Sequence, residues 1–297
     1  MLGIDHVIPD FTYVMKNRKK LRGVFVTHGH EDHIGSLPYF LKEINAPIFA
    51  NKLTLGLIRR KLVEHKLDKQ SILMECKPGD VINRGCFSVE FIKVNHSIAD
   101  SAAFAVKTPV GTIIDMGDFK IDTTPIRGRM IDLTRLGELG REGVLLLMSD
   151  STNAERPGMA LSERKVGVSI ENIFARAREK RIFVATFSSN VHRVQQIITT
   201  AVKYGRKVAI SGRSMEGVIA VAHELGYLDY PKGTIVTIDQ ANRFPKNEIV
   251  IITTGSQGEP MSALYRMAFS DHRNISITSD DLVVISASPI PGNERLV

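Results

Sequence analysis

Two kinds of apolar pattern alternate along this chain. Short β-branched or aromatic runs bounded by turn residues read as strands, and segments whose apolar positions recur every three or four residues read as helices. Val24-Phe25-Val26 has the content of a buried strand, while Leu37, Phe40, Leu41 and Ile44 lie at helical spacing behind it. Pro47-Ile48-Phe49-Ala50 is a second short strand, and residues 52–65 place Leu53, Leu57, Ile58 and Leu62 on one helical face. Residues 87–94 alternate as a half-buried strand should, residues 112–119 hold another short apolar strand, and residues 143–148 read as a buried one. Residues 1–17 read as irregular or extended backbone, in which His6 is a structural or surface histidine.

After Gly158 the pattern changes. Residues 162–180 carry a helical stripe of Val166, Ile170, Ile173, Phe174 and Ala177. Strands are then expected at 181–185, 207–210, 234–238, 248–253 and 281–285, with helices at 191–204, 215–225 and 262–269. That is the layout of a parallel α/β sheet, in which ligands collect at the carboxyl ends of the strands.

The chemistry is concentrated at strand ends. Directly after Val24-Phe25-Val26 comes Thr27-His28-Gly29-His30-Glu31-Asp32-His33, four potential metal ligands in six residues. His28 and His30 leave the strand pointing the same way, and Asp32 and His33 sit at a helix start aimed back at them, so one cluster can feed two adjacent ions. Imidazole suits zinc and manganese, and a carboxylate oxygen suits a second ion that also holds water. His96, in Asn95-His96-Ser97, and Asp118, in Gly117-Asp118-Phe119-Lys120, close two later strands, with Gly117 expected to let backbone approach the ions. Asp150 follows the strand at 143–148, within Ser149-Asp150-Ser151-Thr152-Asn153, where it serves either as an acidic site residue or as a turn cap. His65 reads as solvated, and the basic segment 121–135, with Arg127, Arg129 and Arg135, as a solvated surface or a phosphate contact.

Three exits of the later strands are rich in small and polar residues: Ser188-Ser189-Asn190-Val191-His192-Arg193, Gly212-Arg213-Ser214, and Gly255-Ser256-Gln257-Gly258. Glycine and serine let backbone N–H groups and helix N-termini approach a phosphate, and Arg193 and Arg213 can add charge-assisted bonds. Three such loops in succession argue for a polyanion groove. The excess of 39 Lys and Arg over 32 Asp and Glu points the same way, weakly.

Together these motifs resemble the metallo-β-lactamase superfamily and, within it, the β-CASP nucleases. The resemblance implies an αββα sandwich over residues 1–155, without its N-terminal strands, and an inserted β-CASP α/β domain over residues 156–297, without its C-terminal end. It implies His28, His30 and His96 as ligands of one metal, Asp32 and His33 of the other, Asp118 as the bridge and Asp150 as an acidic catalytic position beside Asp32 and Asp118. It further implies two divalent ions, zinc first and manganese or magnesium otherwise, and hydrolysis of RNA by 5′-to-3′ exonuclease and endonuclease action in mRNA and rRNA maturation and decay. RNA with a 5′ monophosphate end is the expected partner, in a homo-oligomer or a hetero-oligomer with a paralogue. The family's later histidine motifs do not follow Val297, so a chain of these bounds is expected to hold less than two metal equivalents and to cleave poorly. Alternatives are a non-catalytic RNA-binding subunit and a thioester or lactam hydrolase of the same fold, the latter having no need of phosphate-type loops. No apolar run approaches a membrane span and no signal-peptide core opens the chain, so the cytoplasm is the expected compartment, with Cys76 and Cys86 reduced.

Overall fold

The computed structural model describes residues 7–152, 154–290 and 292–297, so His6 and Asn153 lie outside the described residues. The chain forms two compact units, one of Met1–Thr123 with Gly128–Ala160 and one of Thr124–Arg127 with Leu161–Val297.

In the first unit, helix α1 (Thr12–Lys16) precedes strand β1 (Val24–Phe25), helices α2 (Glu31–Ile34) and α3 (Leu37–Glu43), strand β2 (Ile48–Ala50), helix α4 (Lys52–Glu64) and strand β3 (Leu73–Glu75). Strands β4 (Val81–Arg84), β5 (Phe87–Lys93), β6 (Ala102–Thr108) and β7 (Gly111–Asp115), helix α5 (Leu133–Glu142) and strand β8 (Leu146–Met148) follow. Strands β1-β2-β3 form a parallel sheet, and β4-β5-β6-β7-β8 a second sheet that is antiparallel except for the parallel β7–β8 pair.

Strand alternation sorts the second sheet's side chains into two cores. Val89 and Phe91 of β5 with Ala102 and Phe104 of β6 pack on Phe49 of β2 and on Phe25, joining the two sheets. Phe25 stacks on Phe49 at 4.7 Å, and Phe91 meets Phe104 edge-on at 4.9 Å. The opposite positions, Ile92, Ala103, Ala105 and Ile114, pack on Leu139 of α5. On the far side Leu53, Leu57, Ile58 and Leu62 of α4 are buried. The result is the expected αββα order, held by side chains such as Phe91 whose full burial contributes about 1.5–3 kcal/mol each.

Four local expectations are corrected. The N-terminal segment contains one helical turn, α1, because Asp10 Oδ1 accepts hydrogen bonds from both the backbone N–H and the hydroxyl of Thr12. The helix after β1 is two helices, since Pro38 has no N–H to continue the ladder from α2. The 143–148 segment is an exposed edge: among the described residues β8 pairs only with β7, and Leu145, Leu146, Leu147 and Met148 are 61%, 48%, 58% and 44% exposed. The basic stretch is exposed at Arg127 and Arg129 but ends inside α5, where Asp132 caps the helix and Arg135 forms a bidentate pair with Glu90 at 2.8 and 3.0 Å that commits its charge.

The second unit contains helix α6 (Glu163–Arg176), strand β9 (Ile182–Ala185), helix α7 (Val191–Lys203), strand β10 (Lys207–Ser211), helix α8 (Arg213–Glu224), strand β11 (Ile235–Val236), helix α9 (Ile238–Ala241), strand β12 (Ile249–Thr253), helix α10 (Ala263–Ala268) and strand β13 (Leu282–Ile285). The five strands run parallel in the order β11-β10-β12-β9-β13. All side chains of β9 and β12 are buried, as expected for strands covered on both faces. The expected strand at 234–238 is shorter because Thr237 and Gln240 form a capping box that starts α9. Two buried guanidinium groups tie the unit together: Arg181 forms an ion pair with Asp281 at 3.0 and 2.7 Å, and Arg206 donates to the backbone carbonyls of Ala177, Arg178 and Lys180 below α6.

Candidate metal centre

The first unit brings six of the expected residues to one place. His28 follows β1 and is fully buried; His30, β-extended, ends the same segment and starts α2, which carries Asp32 and His33. His96 follows β5 and Asp118 follows β7. His28 Nε2 lies 3.0 Å from His30 Nδ1, and His96 Nε2 lies 3.1 Å from that same atom. Asp118 Oδ2 is 3.7 Å from His28 Nε2 and 3.5 Å from His96 Nε2, while its Oδ1 is 3.6 Å from His33 Nε2. His33 Nε2 is in turn 3.6 Å from Asp32 Oδ2. Two donor groups result, His28-His30-His96-Asp118 and Asp32-His33-Asp118, with the ligand atoms of each within 4.8 Å of one another.

This spacing fits cations. Four ligands around zinc at about 2.1 Å stand roughly 3.4 Å apart, which is the scale of the distances here. The imidazoles are also in the protonation state that a cation requires. Burial, with the neighbouring imidazoles, holds His28 down at about 2; burial and the His96 ring hold His30 at about 4, and burial, opposed by the Asp150 charge, holds His96 at about 4, so all three are neutral at neutral pH. Burial raises Asp118 above the usual carboxylate range, with His33 opposing that rise and Asp150 and Asp32 adding to it.

Neighbouring hydroxyls fix which ring nitrogen faces the centre. His28 Nδ1 is 3.0 Å from Thr27 Oγ1, so an Nδ1–H donated there leaves Nε2 as the lone pair. His30 is turned the other way, with Nε2 at 3.4 Å from Ser97 Oγ and Nδ1 facing inward. Thr27 and Ser97 carry no motif of their own; their only signal in the sequence is that each is a hydroxyl residue adjoining the histidine pattern. Gly117 is required for a reason other than an approach to ions: with φ at 54°, a Cβ here would meet Thr27 Cβ at 2.9 Å, so it makes room for the residue that orients His28. Asp150 joins neither donor group. Its Oδ1 accepts from the backbone N–H and hydroxyl of Thr152 at 2.9 and 2.6 Å, which outweighs burial and lowers its pKa, and its charge acts on His96 and Asp118.

The three polar loops of the second unit follow the adjacent central strands β10, β12 and β9, at the carboxyl ends of the sheet. Ser188, Ser189 and His192 are half-buried, and Asn190 is buried with its Oδ1 accepting the Arg193 N–H as the cap of α7. Arg193 is committed elsewhere: its guanidinium donates to both carboxylate oxygens of Glu163, at 3.1 and 2.6 Å, and to the Ser286 carbonyl at 2.7 Å. That pair neutralises the charge that a phosphate would use. Arg213 and Ser214 are exposed at the start of α8, behind Gly212, which has φ of 122° and no side chain to cap the helix. Gly255 and Ser256 are buried, Gly258 has a positive φ of 70°, and buried Gln257 donates to the Ser288 carbonyl and accepts from the Ile290 N–H. Gln257 therefore anchors the segment after β13.

Comparisons with known proteins agree with this architecture. Residues 10–133 match the family model of the metallo-beta-lactamase superfamily, and residues 179–297 match that of the ribonuclease J beta-CASP domain. The whole chain is 47% identical to ribonuclease J of Helicobacter pylori, covering 43% of it, and 45% identical to ribonuclease J of Thermus thermophilus, covering 53% of it. Ribonuclease J of Synechocystis is 47% identical over 99% of the chain and 46% of its own length. The chain thus spans about half the length of these curated relatives. The fold also resembles a crystal structure of a protein of unknown function from Enterococcus faecalis V583, with a TM-score of 0.60 and 14% identity over 96% of this chain and 81% of that one. With its histidines and aspartates at strand ends of an αββα unit, followed by a parallel α/β unit, the chain matches a metallo-β-lactamase domain and then a ribonuclease J beta-CASP domain, and is similar to ribonuclease J proteins along its whole length.

Proposed function

We propose that this chain carries the metal-holding site and the RNA-gripping unit of a ribonuclease that hydrolyses phosphodiester bonds, as a 5′-to-3′ exonuclease and an endonuclease, in the maturation and decay of cytoplasmic mRNA and rRNA. The observation that carries this reading is Asp118, whose two carboxylate oxygens face different histidines and so belong to both donor groups. His28, His30, His96 and Asp118 would hold one divalent ion, and Asp32, His33 and Asp118 the other. The imidazole-rich first group favours zinc, with manganese or magnesium as alternatives. Two bound cations would lower the pKa of water between them and neutralise the charge that develops on the phosphate. The side chains supply placement: Thr27 and Ser97 orient the rings, and Asp150 keeps a negative charge beside His96 and Asp118. No side chain is needed as nucleophile.

The loops at Ser188-Ser189-Asn190, Gly212-Arg213-Ser214 and Gly255-Ser256-Gln257-Gly258 are the expected contacts to RNA phosphates, and a 5′ monophosphate held by one of them would select that end for exonuclease action. The test is digestion of 5′-labelled RNA with and without chelator, with Zn²⁺ or Mn²⁺ restored, by the wild type and by Asp118→Asn. Cleavage that requires the metal and falls at least ~100-fold in the variant supports the proposal. Full cleavage by the variant, or faster turnover of a β-lactam or thioester than of RNA, overturns it.

A further inference from the structure

Positive charge is unevenly placed along this chain. The twenty residues 11–30 contain no Asp or Glu, and five of the seven from Lys16 to Arg22 are Lys or Arg. That run alone carries +5, so the other 290 of the 297 residues, with 34 Lys and Arg against 32 Asp and Glu, carry only +2 of the net +7. Solvated surfaces intersperse the two signs, because a cluster of one sign repels itself. A folded segment that keeps such a cluster has the electrostatic footprint of a polyanion site.

The structure gathers these cations without neutralising them. Lys16, Arg18, Lys19, Lys20 and Arg22 are all exposed, and among the described residues none of them forms an ion pair. The nearest carboxylates in sequence are committed elsewhere: Asp10 Oδ1 accepts two bonds from Thr12, and Glu31 pairs with Lys61. Phe11 meets Phe40 of α3 edge-on at 5.2 Å, which docks the start of α1. After α1 the Asn17 side chain donates to the Tyr13 carbonyl at 2.9 Å, and a 3₁₀ turn over Arg18–Lys20 follows. The Lys20 N–H on the Asn17 carbonyl and the Leu21 N–H on the Arg18 carbonyl close that turn, and Arg22 Nη1 donates to the Lys19 carbonyl at 3.2 Å. A fixed backbone therefore holds together charges that a flexible run would splay apart. One turn before Lys16 and Asn17, on the same helical face, the Tyr13 ring is 79% exposed. An exposed aromatic ring beside a row of cations suits single-stranded nucleic acid, since every base offers a π face and every nucleotide a phosphate.

We propose that Tyr13 and the cations Lys16, Arg18, Lys19, Lys20 and Arg22 form an anchoring site for single-stranded RNA on the first unit, with one base on the Tyr13 ring and the neighbouring phosphates on the cations. β1 leads from Arg22 toward His28, and the six residues of that step span at most about 22 Å. The anchor thus grips a part of the strand away from the metal centre, on the same unit. It rests on the reading of the chain as part of a ribonuclease, and adds a second grip to the loops of the other unit. An anionic membrane is the less suited partner, because α1 has only five residues and offers little apolar face to lay along a bilayer.

The experiment measures binding of a fluorescent single-stranded RNA by anisotropy, in chelator so that nothing is cut, over a series of salt concentrations. The triple variant Arg18→Gln, Lys19→Gln, Lys20→Gln is expected to bind about 10–100-fold more weakly at about 0.15 M salt. Its slope of log affinity against log salt should fall by about 2, the loss of three single-strand phosphate contacts. Tyr13→Ala should lose about 5–150-fold with little change of slope, and Tyr13→Phe should bind as the wild type does, because stacking needs the ring and not the hydroxyl. Wild-type affinity and slope in the triple variant, or wild-type affinity in Tyr13→Ala, overturns the anchor and leaves the ribonuclease reading to the loops of the second unit. A wild type that binds no RNA at low salt overturns both. Retention on phosphatidylserine vesicles that the triple variant loses, with its RNA affinity unchanged, assigns the cluster to a membrane and overturns the anchor. The substituted side chains are exposed, so unfolding temperatures should match the wild type. A fall in those temperatures that accounts for the lost affinity would make the residues structural and remove the proposal.

Discussion

Single atoms set the character of the metal centre. His28 can present Nε2 inward only while Thr27 takes its Nδ1–H, so Thr27→Val, which keeps the shape and deletes the acceptor, is expected to lower metal affinity about 10–100-fold with the fold intact. Isothermal titration with Zn²⁺ on the metal-free protein checks it, and an unchanged affinity would show that the ring is oriented by packing alone. The same histidines make stability depend on pH. Burial holds His30 and His96 in the folded chain at about 4, below the usual 6.5, so between those values the unfolded chain binds more protons than the folded one. Their contribution is complete above pH 6.5 and is lost as pH falls to about 4, with His28 extending the loss toward 2. For His30 alone this is on the order of 3 kcal/mol. Urea midpoints of the metal-free protein measured at several pH values should fall across that window, and a flat profile would refute the assignment.

Whole elements carry consequences that their residues do not reveal one by one. Helices α6 and α7 are joined through Glu163 and Arg193, whose side chains are only 10% and 13% exposed. Glu163→Ala leaves a buried guanidinium uncompensated and is expected to destabilise the second unit by about 3–5 kcal/mol, which thermal unfolding will measure. A cost under about 1 kcal/mol would mean that Arg193 finds another acceptor, and would return it to the phosphate-binding candidates. Strand β8 presents the opposite case. Because Leu147 is 58% exposed at a sheet edge, Leu147→Glu should change stability by no more than about 0.5 kcal/mol while reducing self-association. Light scattering against concentration checks this, and a large loss of stability would restore the buried strand expected from its composition.

At the scale of the whole molecule, the net charge of +7 predicts RNA binding that weakens as salt rises, with log affinity falling by about 0.7 per phosphate contact for each decade. Salt-independent binding would exclude the phosphate backbone as the main contact. Much of the architecture was legible in the sequence, because strand and helix periodicities are local. The runs at β1, β5 and β7 and the stripes of α4 and α6 each identify their element without reference to distant residues. The metal site was legible for the same reason: its donors sit at the ends of those runs, in a spacing few other structures need. The fates of Arg135, Arg193 and Leu147 were not legible. Arg135 meets Glu90 from 45 residues away, Arg193 meets Glu163 from 30, and β8 is exposed because the strand order leaves it at an edge. The sequence by itself determined which elements form and which donors a cation would meet, whereas only the tertiary structure decided that Asp118 faces two groups at once and that Arg193 is already paired. Ion pairing, burial and bridging are properties of partners brought together from distant positions, and no local pattern encodes them.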